Sequence, residues 1–249
     1  MRRKLIAGNW KMNGLKAEGL ALAKAVFAKA QGELPFDVLI CPPMNLLGLV
    51  AELPHTINVG SQDVAVAPKA CGAYTGDVSA EMVRDLGATH TIVGHSERRA
   101  MHGETDAIVC AKAERAIAAG LTAVICVGET LQEREAGRAI DVVTAQIRGS
   151  VPTVVTAENC VIAYEPVWAI GTGKVPTTAD VAEIHGAVRA ELAKVLGTDI
   201  AEKMRILYGG SVKPSNAKEL LSVSDVDGAL IGGASLKAED FWAIAETQF

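Results

Sequence analysis

The sequence predicts an α/β chain folded as one (β/α)8 barrel domain over residues 1–249. Three observations carry that expectation. Eight short apolar runs alternate with helical stretches and no linker interrupts them, over a length close to the ~250 residues usual for such barrels. Hydrophobic residues make up 49% of the chain but aromatics only 4%, the aliphatic composition of parallel strands covered on both faces. The polar and glycine-rich departures from pattern fall after strands, where barrel sites are assembled from loops at the C-terminal face.

In order, Leu5-Ile-Ala7 reads as the first strand, and Gly8-Asn-Trp-Lys-Met-Asn13 leaves its end. The next helix places Leu20, Leu22, Ala23, Val26 and Phe27 on an apolar face, with Lys16, Lys24 and Lys29 outside. Asp37-Val-Leu-Ile-Cys41 forms the second strand, stopped by Pro42-Pro43; residues 44–53 suit a short helix and 57–60 the third strand. Residues 63–78 break the rhythm with a long irregular segment. Its single aromatic, Tyr74, stands between Gly72 and Gly76, which suits a knob entering a partner's pocket better than a solvated tail. Ser79 caps a helix through Leu86 with Gly87 as its stop, and 89–93 is the fourth strand. A helix over 105–119 leads to the fifth strand, 121–127, and a helical pair interrupted near Gly137 runs to Gly149. Cys160-Val-Ile-Ala-Tyr164 is the sixth strand. Thr177 and Asp180 have capping-box spacing for a long helix ending at Gly197. Residues 205–208 and 226–231 supply the last two strands, with helices from Pro214 and over 238–247.

Charge and cysteine content narrow the function. A net charge of -5 and the lack of any basic cluster interleaved with aromatics argue against nucleic acid. Cys41, Cys71, Cys110, Cys126 and Cys160 are odd in number and form no C-x-x-C pair, so neither a disulfide framework nor a metal site is expected. The basic start is followed by an apolar run too short for a signal peptide, and no segment approaches a membrane span. A cytoplasmic setting follows as the expectation.

The richest stretch is Ala163-Tyr-Glu-Pro-Val-Trp-Ala-Ile-Gly-Thr-Gly-Lys-Val-Pro176. Glu165 ends a buried strand, and Pro166 forbids the strand to continue in a sheet interior. Val167, Trp168, Ala169 and Ile170 are apolar where an exposed loop is polar, and Gly171 and Gly173 loosen the tip, which suits a flap over a catalytic base. A merely solvated glutamate is the plain alternative. Gly209-Gly-Ser211 and Gly232-Gly233, after the final strands, fit a phosphate cradle in which backbone N–H groups approach an anion. Lys11 can offset a phosphate dianion or, as in barrel aldolases, form a Schiff base. His95 lies where Ser96-Glu97-Arg98 can start a short helix; the helix end disfavours an imidazolium, leaving a neutral hydrogen-bond donor. His55, His90, His102 and His185 read as structural. A carboxylate, a neutral donor, a cation and a phosphate grip, with no nucleophile–base pair and no cofactor, describe proton abstraction beside a carbonyl through an enediolate.

Asn9-Trp-Lys11, Gly94-His-Ser-Glu-Arg-Arg99, Cys126-Val-Gly-Glu-Thr130, the stretch 163–174, Tyr208-Gly-Gly-Ser211 and Gly232-Gly233 together resemble the triosephosphate isomerase family over the whole length. The resemblance implies interconversion of dihydroxyacetone phosphate and glyceraldehyde 3-phosphate without a cofactor or metal. It assigns Glu165 to shuttle the proton, His95 and Asn9 to bond the substrate oxygens, Lys11 to stabilise negative charge and Glu97 to support Lys11. It assigns phosphate binding to the amides of Gly171, Ser211, Gly232 and Gly233. It also implies a homodimer in which the loop around Tyr74 and Thr75 enters the partner and supports its Asn9 and Lys11. Pro176 departs from the alanine common at the end of that family's lid, and Cys126 reads as a buried packer. The competing expectations are another metal-free phosphosugar isomerase or Schiff-base aldolase on the same barrel, and a phosphometabolite-binding protein without turnover.

Overall fold

A computed structural model describes residues 2–172 and 174–248. Its eight parallel strands are β1 (Leu5–Asn9), β2 (Asp37–Cys41), β3 (Asn58–Ser61), β4 (His90–Val93), β5 (Thr122–Val127), β6 (Cys160–Tyr164), β7 (Arg205–Tyr208) and β8 (Gly228–Ile231). They pair in sequence order and close, β8 returning to β1. The (β/α)8 expectation holds.

Side chains alternate along each strand, so closure builds two separate cores. Leu5, Ala7, Leu39, Val161, Ala163 and Leu207 belong to the inner one, which fills the barrel. Their neighbours Ile6, Val38, Ile40, Ile162 and Ile206 face outward and join the apolar faces of the helices. Each fully buried aliphatic side chain of this kind stabilises by about 1.5–3 kcal/mol. The inward parity also runs on past the strand ends: 5, 7, 9 leads to Asn9, and 161, 163, 165 leads to Glu165. Continued from Leu207 and Leu230, it reaches Gly209 and Gly232. The alternation that packs the barrel therefore aims these four residues at its C-terminal mouth.

The outer layer comprises α1 (Lys16–Lys29), α2 (Met44–Ala51), α3 (Ala80–Asp85), α4 (Ser96–His102), α5 (Asp106–Ala118), α6 (Leu131–Glu135) and α7 (Ala139–Ser150). It is completed by α8 (Thr178–Leu196), α9 (Thr198–Lys203), α10 (Pro214–Leu221) and α11 (Ala238–Glu246). Ser79 Oγ accepts from the Met82 N–H at 3.2 Å at the start of α3, and Thr177 with Asp180 closes the capping box of α8. The root of the 63–78 segment, which holds neither helix nor strand, is tied to α5 by charge. Buried Lys112 Nζ lies 2.7 Å from Asp63 and 2.6 Å from Glu104, and Arg98 bonds both carboxylates. Among the described residues no helix is long and apolar enough to cross a membrane.

Several local readings change; β3, for one, lies a residue later than expected, at Asn58–Ser61. β1 runs two residues further, to Asn9, because its pairing with β2 extends to Asn9 opposite Cys41. β8 starts at Gly228 and not at 226: Asp225 turns with φ +59° and Gly228 with φ +135°, and a Cβ on Gly228 would fall 1.9 Å from the Leu5 carbonyl oxygen. The short helix α9 follows Gly197, which caps α8 and starts a new turn with φ +87°.

Two buried histidines link this packing to pH. His185 on α8 is fully buried, with Nδ1 3.0 Å from the Asp225 carbonyl oxygen and Nε2 without a hydrogen-bond partner among the described residues. His90 opens β4 beside the Thr89 hydroxyl at 2.8 Å. Burial pushes both rings down to about 4. The folded state thus refuses protons that the unfolded chain takes up below about pH 6.5. Both rings are neutral in either state above that pH, so their contribution is complete there and is lost as pH falls toward 4. Urea-unfolding free energies should decline between pH 6.5 and 5 with a steepness near two protons, each histidine withholding roughly 3 kcal/mol by pH 4. His185→Leu should remove about half of that slope. A free energy flat across this window would contradict the assignment.

Candidate active site

A cavity of about 650 Å³ opens at the C-terminal mouth of the barrel. Its wall includes Asn9, Lys11, His95, Glu165, Gly171, Ser211, Gly232 and Gly233, so residues scattered over the whole sequence converge on one space. Glu97 stands just behind Lys11. Tyr74 and Thr75 lie elsewhere, on the exposed 63–78 loop. Gly173 falls outside the described residues.

Glu165, only 2% exposed, is the most buried charge on the cavity wall. Its Oε1 lies 2.8 Å from His95 Nε2, and its Oε2 accepts the Ser96 N–H at 2.9 Å. Gly94, with φ +67°, ends the extended run of β4, and His95 then caps α4. A Cβ on Gly94 would meet Val109 at 2.6 Å, so both space and backbone select glycine there. The Glu97 N–H donates to His95 Nδ1 at 3.3 Å, which requires a bare lone pair at Nδ1 and leaves the ring proton on Nε2, facing Glu165. Burial opposes an imidazolium at His95, but the adjacent Glu165 carboxylate outweighs it and raises the ring above its ordinary value. Burial likewise pushes Glu165 up, while His95 and the Ser96 amide pull it below the usual carboxylate range. The helix end considered alone favours a neutral ring; the carboxylate in contact with Nε2 pulls the other way.

Lys11 follows β1 in a left-handed conformation, φ +52°. Its own N–H donates to Asn9 Oδ1 at 2.9 Å, and its Nζ pairs with half-exposed Glu97 at 2.6 Å. Because the Asn9 carbonyl oxygen is used in this way, the rest of that amide is a donor. Opposite, Ser211 precedes α10 and Gly233 opens a 3-10 turn over Gly233–Leu236, offering backbone N–H groups where intrahelical partners are absent. A Cβ on Gly209 would come within 2.9 Å of Glu165 Cγ, and one on Gly128 within 1.7 Å of the Glu165 carbonyl oxygen. Cys126 packs beneath, its thiol pushed well up by burial and then by Glu165, which excludes a thiolate. Among the described residues no cluster of His, Cys, Asp or Glu is arranged to hold a metal ion.

The loop after Glu165 roots on a buried carboxylate. Val167–Ala169 forms a 3-10 turn after Pro166. Glu129, fully buried, accepts from Trp168 Nε1 at 2.8 Å and from the Tyr164 hydroxyl at 3.1 Å, and Arg134 stacks on the Trp168 ring at 5.2 Å. Ile170 and Gly171 reach the cavity wall, Gly171 with φ +70°.

The sequence alone places Gly128 and Glu129 within a motif without a role, reads Gly209 only as part of the phosphate cradle and not as the glycine that makes room for Glu165, and does not single out Gln62. The glycines were available from strand parity. Gln62, whose amide donates to the Lys11 and Cys41 carbonyl oxygens, carries no local signal, since its partners come from other strands.

Comparison with known proteins agrees with the geometry. The model of the family described as triosephosphate isomerase matches residues 4–248. The triosephosphate isomerase of Ruegeria sp. (strain TM1040) is 59% identical over 246 residues, covering 98% of this chain and 97% of that protein. That of Xanthobacter flavus is 58% identical over 246 residues, with the same shares covered. The crystal structure of triosephosphate isomerase from Bartonella henselae superposes with a TM-score of 0.90 at 49% identity, covering 99% of each chain.

At the far end of the 166–176 loop, Pro176 is buried while Val175 is exposed. A proline there favours an extended backbone at Val175 and is expected to stiffen that end of the loop. Pro176→Ala should speed the exchange of the Trp168 indole N–H seen by NMR relaxation dispersion, with turnover kept within about ten-fold. Identical exchange rates in the two proteins would count against a stiff hinge.

Proposed function

The chain belongs to the triosephosphate isomerase family and interconverts dihydroxyacetone phosphate and D-glyceraldehyde 3-phosphate, and we propose that Glu165 moves the proton between the two carbons. The observation that carries this role is a buried carboxylate at the cavity floor with a donor in contact and a cation on the same wall. At rest both Glu165 oxygens are occupied, by His95 and by the Ser96 amide. A substrate carbonyl entering the cavity takes over the His95 Nε2–H. Glu165 is then free to accept the proton from the carbon beside that carbonyl. The electron pair of the broken C–H bond moves into the enediolate, the hydroxyl proton passes from one substrate oxygen to the other, and the carboxylic acid returns its own proton to the neighbouring carbon.

His95 stays useful only as a neutral donor during this transfer. When Glu165 withdraws from Nε2, the influence that raises the ring weakens, while burial and the Glu97 N–H on Nδ1 continue to favour neutrality. Asn9 offers its amide N–H to a substrate oxygen, and Lys11 stabilises the negative charge that develops. Glu97 keeps the Lys11 ammonium paired before substrate arrives. The amides of Gly171, Ser211, Gly232 and Gly233 grip the phosphate, and the apolar loop 167–170 closes over the cavity to exclude water. No observation favours a Schiff base at Lys11.

The working form is a homodimer. Exposed Tyr74 and Thr75 stand on a loop whose root is pinned by the Lys112, Asp63 and Glu104 cluster, and Met12, Val66, Met82 and Met101 are exposed apolar side chains. In the dimer Thr75 of each loop supports Asn9 and Lys11 of the other subunit. Five free cysteines fit a reducing cytoplasm, the compartment of glycolysis and gluconeogenesis.

Proton NMR of glyceraldehyde 3-phosphate in deuterated water, with no cofactor added, should show conversion with solvent-derived label. The label should be lost with Glu165→Gln, which is expected to slow turnover by at least ~100-fold. Rapid labelled turnover by Glu165→Gln would remove Glu165 from the role of base.

Sedimentation should give a mass near twice the 26.0 kDa of the chain, and Tyr74→Asp should shift it toward monomer. A native protein sedimenting as a monomer would overturn the dimer.

A further inference from the structure

In a parallel ladder both backbone groups of a residue face one neighbouring strand, and those of the next residue face the other. Along β5 the Thr122 N–H donates to the Thr89 carbonyl oxygen on the β4 side, and the Ala123 N–H to the Asn159 carbonyl oxygen on the β6 side, each at 2.9 Å. The odd series runs on past the strand ends. The Val127 carbonyl oxygen accepts the Glu165 N–H at 2.7 Å, and that of Glu129 accepts the Val167 N–H at 3.1 Å. The even series loses its partner, because β4 pairs with β5 only as far as Val93 opposite Ile125. Gly94 then turns with φ +67°, and the His95 carbonyl oxygen goes to the N–H groups of Arg98 and Arg99 in α4. Gly128 is left with an N–H and a carbonyl aimed at a strand that has departed.

Side chains take its place. The Cys126 carbonyl oxygen accepts from Arg99 Nη2 at 3.3 Å. Both groups of Gly128 are met by one residue of α7: Gln146 Oε1 accepts the Gly128 N–H at 2.7 Å, and Gln146 Nε2 donates to the Gly128 carbonyl oxygen at 3.1 Å. A primary amide carries the same donor and acceptor as a peptide, so this one bonds Gly128 at two points as a strand would. What it holds is the backing of Glu165. Gly128 lies so close to the Glu165 peptide that a Cβ there would overlap its carbonyl oxygen.

The geometry points to Gln146 as a positioning residue for the proton transfer: its amide replaces the missing length of β4 and keeps the Gly128 peptide against the main chain of the base. The inference rests on the reading of Glu165 as that base. Without the amide, the two groups of Gly128 must find water. The segment then draws away from β6, and the carboxylate loses its alignment with the substrate carbon. Gln146 is not part of the cavity wall, so the defect passes through Glu165 and not through substrate binding.

The deciding experiment is steady-state kinetics with glyceraldehyde 3-phosphate, together with inhibition by inorganic phosphate, on Gln146→Met, Glu165→Gln and the double variant. Gln146→Met keeps the length of the side chain and removes both hydrogen bonds. It should lower kcat by roughly ten-fold, while KM and the phosphate inhibition constant stay within about two-fold of native, since the phosphate amides belong to other loops. Added to Glu165→Gln, it should change kcat by less than about two-fold, because the residue it positions no longer acts. A merely structural role would lower the melting temperature without this split, or would multiply with the Glu165→Gln defect; either pattern overturns the inference. Native kcat in Gln146→Met beside a crippled Glu165→Gln overturns it while leaving Glu165 as the base, whereas a fully active Glu165→Gln removes the reading on which it stands. If Gln146→Met does not fold, Gln146→Glu, which keeps the acceptor for the Gly128 N–H and loses the donor, is read by the same criteria.

Discussion

Alternation along a closed parallel barrel is the constraint from which the rest of this molecule follows. Side chains must point in and out by turns, and the inner set must fill a space of fixed width. Leu5, Ala7, Val161, Ala163 and Leu207 satisfy that demand. The next inward positions have no layer above them, so Asn9, Glu165, Gly209 and Gly232 meet at an open mouth. The fold does not merely carry the site; the parity of its strands chooses which residues can take part.

Burying Glu165 at that mouth creates an electrostatic debt of desolvation that the surroundings answer twice. The Ser96 amide and His95 Nε2 each bond one oxygen, and the same α4 terminus that supplies the amide also fixes the tautomer of His95 through the Glu97 N–H. Lys11 and Glu97 form a second pair at the wall. The resting site is thus a set of satisfied hydrogen bonds whose partners a substrate carbonyl and phosphate can replace one for one. Little rearrangement of dipoles is required on binding, which is how a water-excluding cavity stabilises charge.

Much of this was legible in the chain. β2, β6 and β7 have the bounds the sequence suggests, because apolar runs flanked by proline or glycine leave few alternatives. The residues expected at the site converge because each follows a strand. Other features depend on contacts that no local window contains. The six-residue α9 buries only Ala201 and follows a glycine that reads as a stop. The raised pKa of His95 comes from a carboxylate two strands away, and the sequence offers only the helix end. Gln62 looks like any polar residue after a strand until β1, β2 and β3 are brought side by side.

The glycines at the barrel mouth carry a consequence for how such a chain diversifies. A methyl group at Gly128 or Gly209 would collide with the backbone or side chain of a neighbouring strand end. Mutational drift is therefore blocked at the rim itself and remains open a few residues further out, in loops such as 166–176 and 63–78. New substrate preferences on this scaffold must be written in the length and composition of those loops, while the strand ends stay frozen as a common chassis.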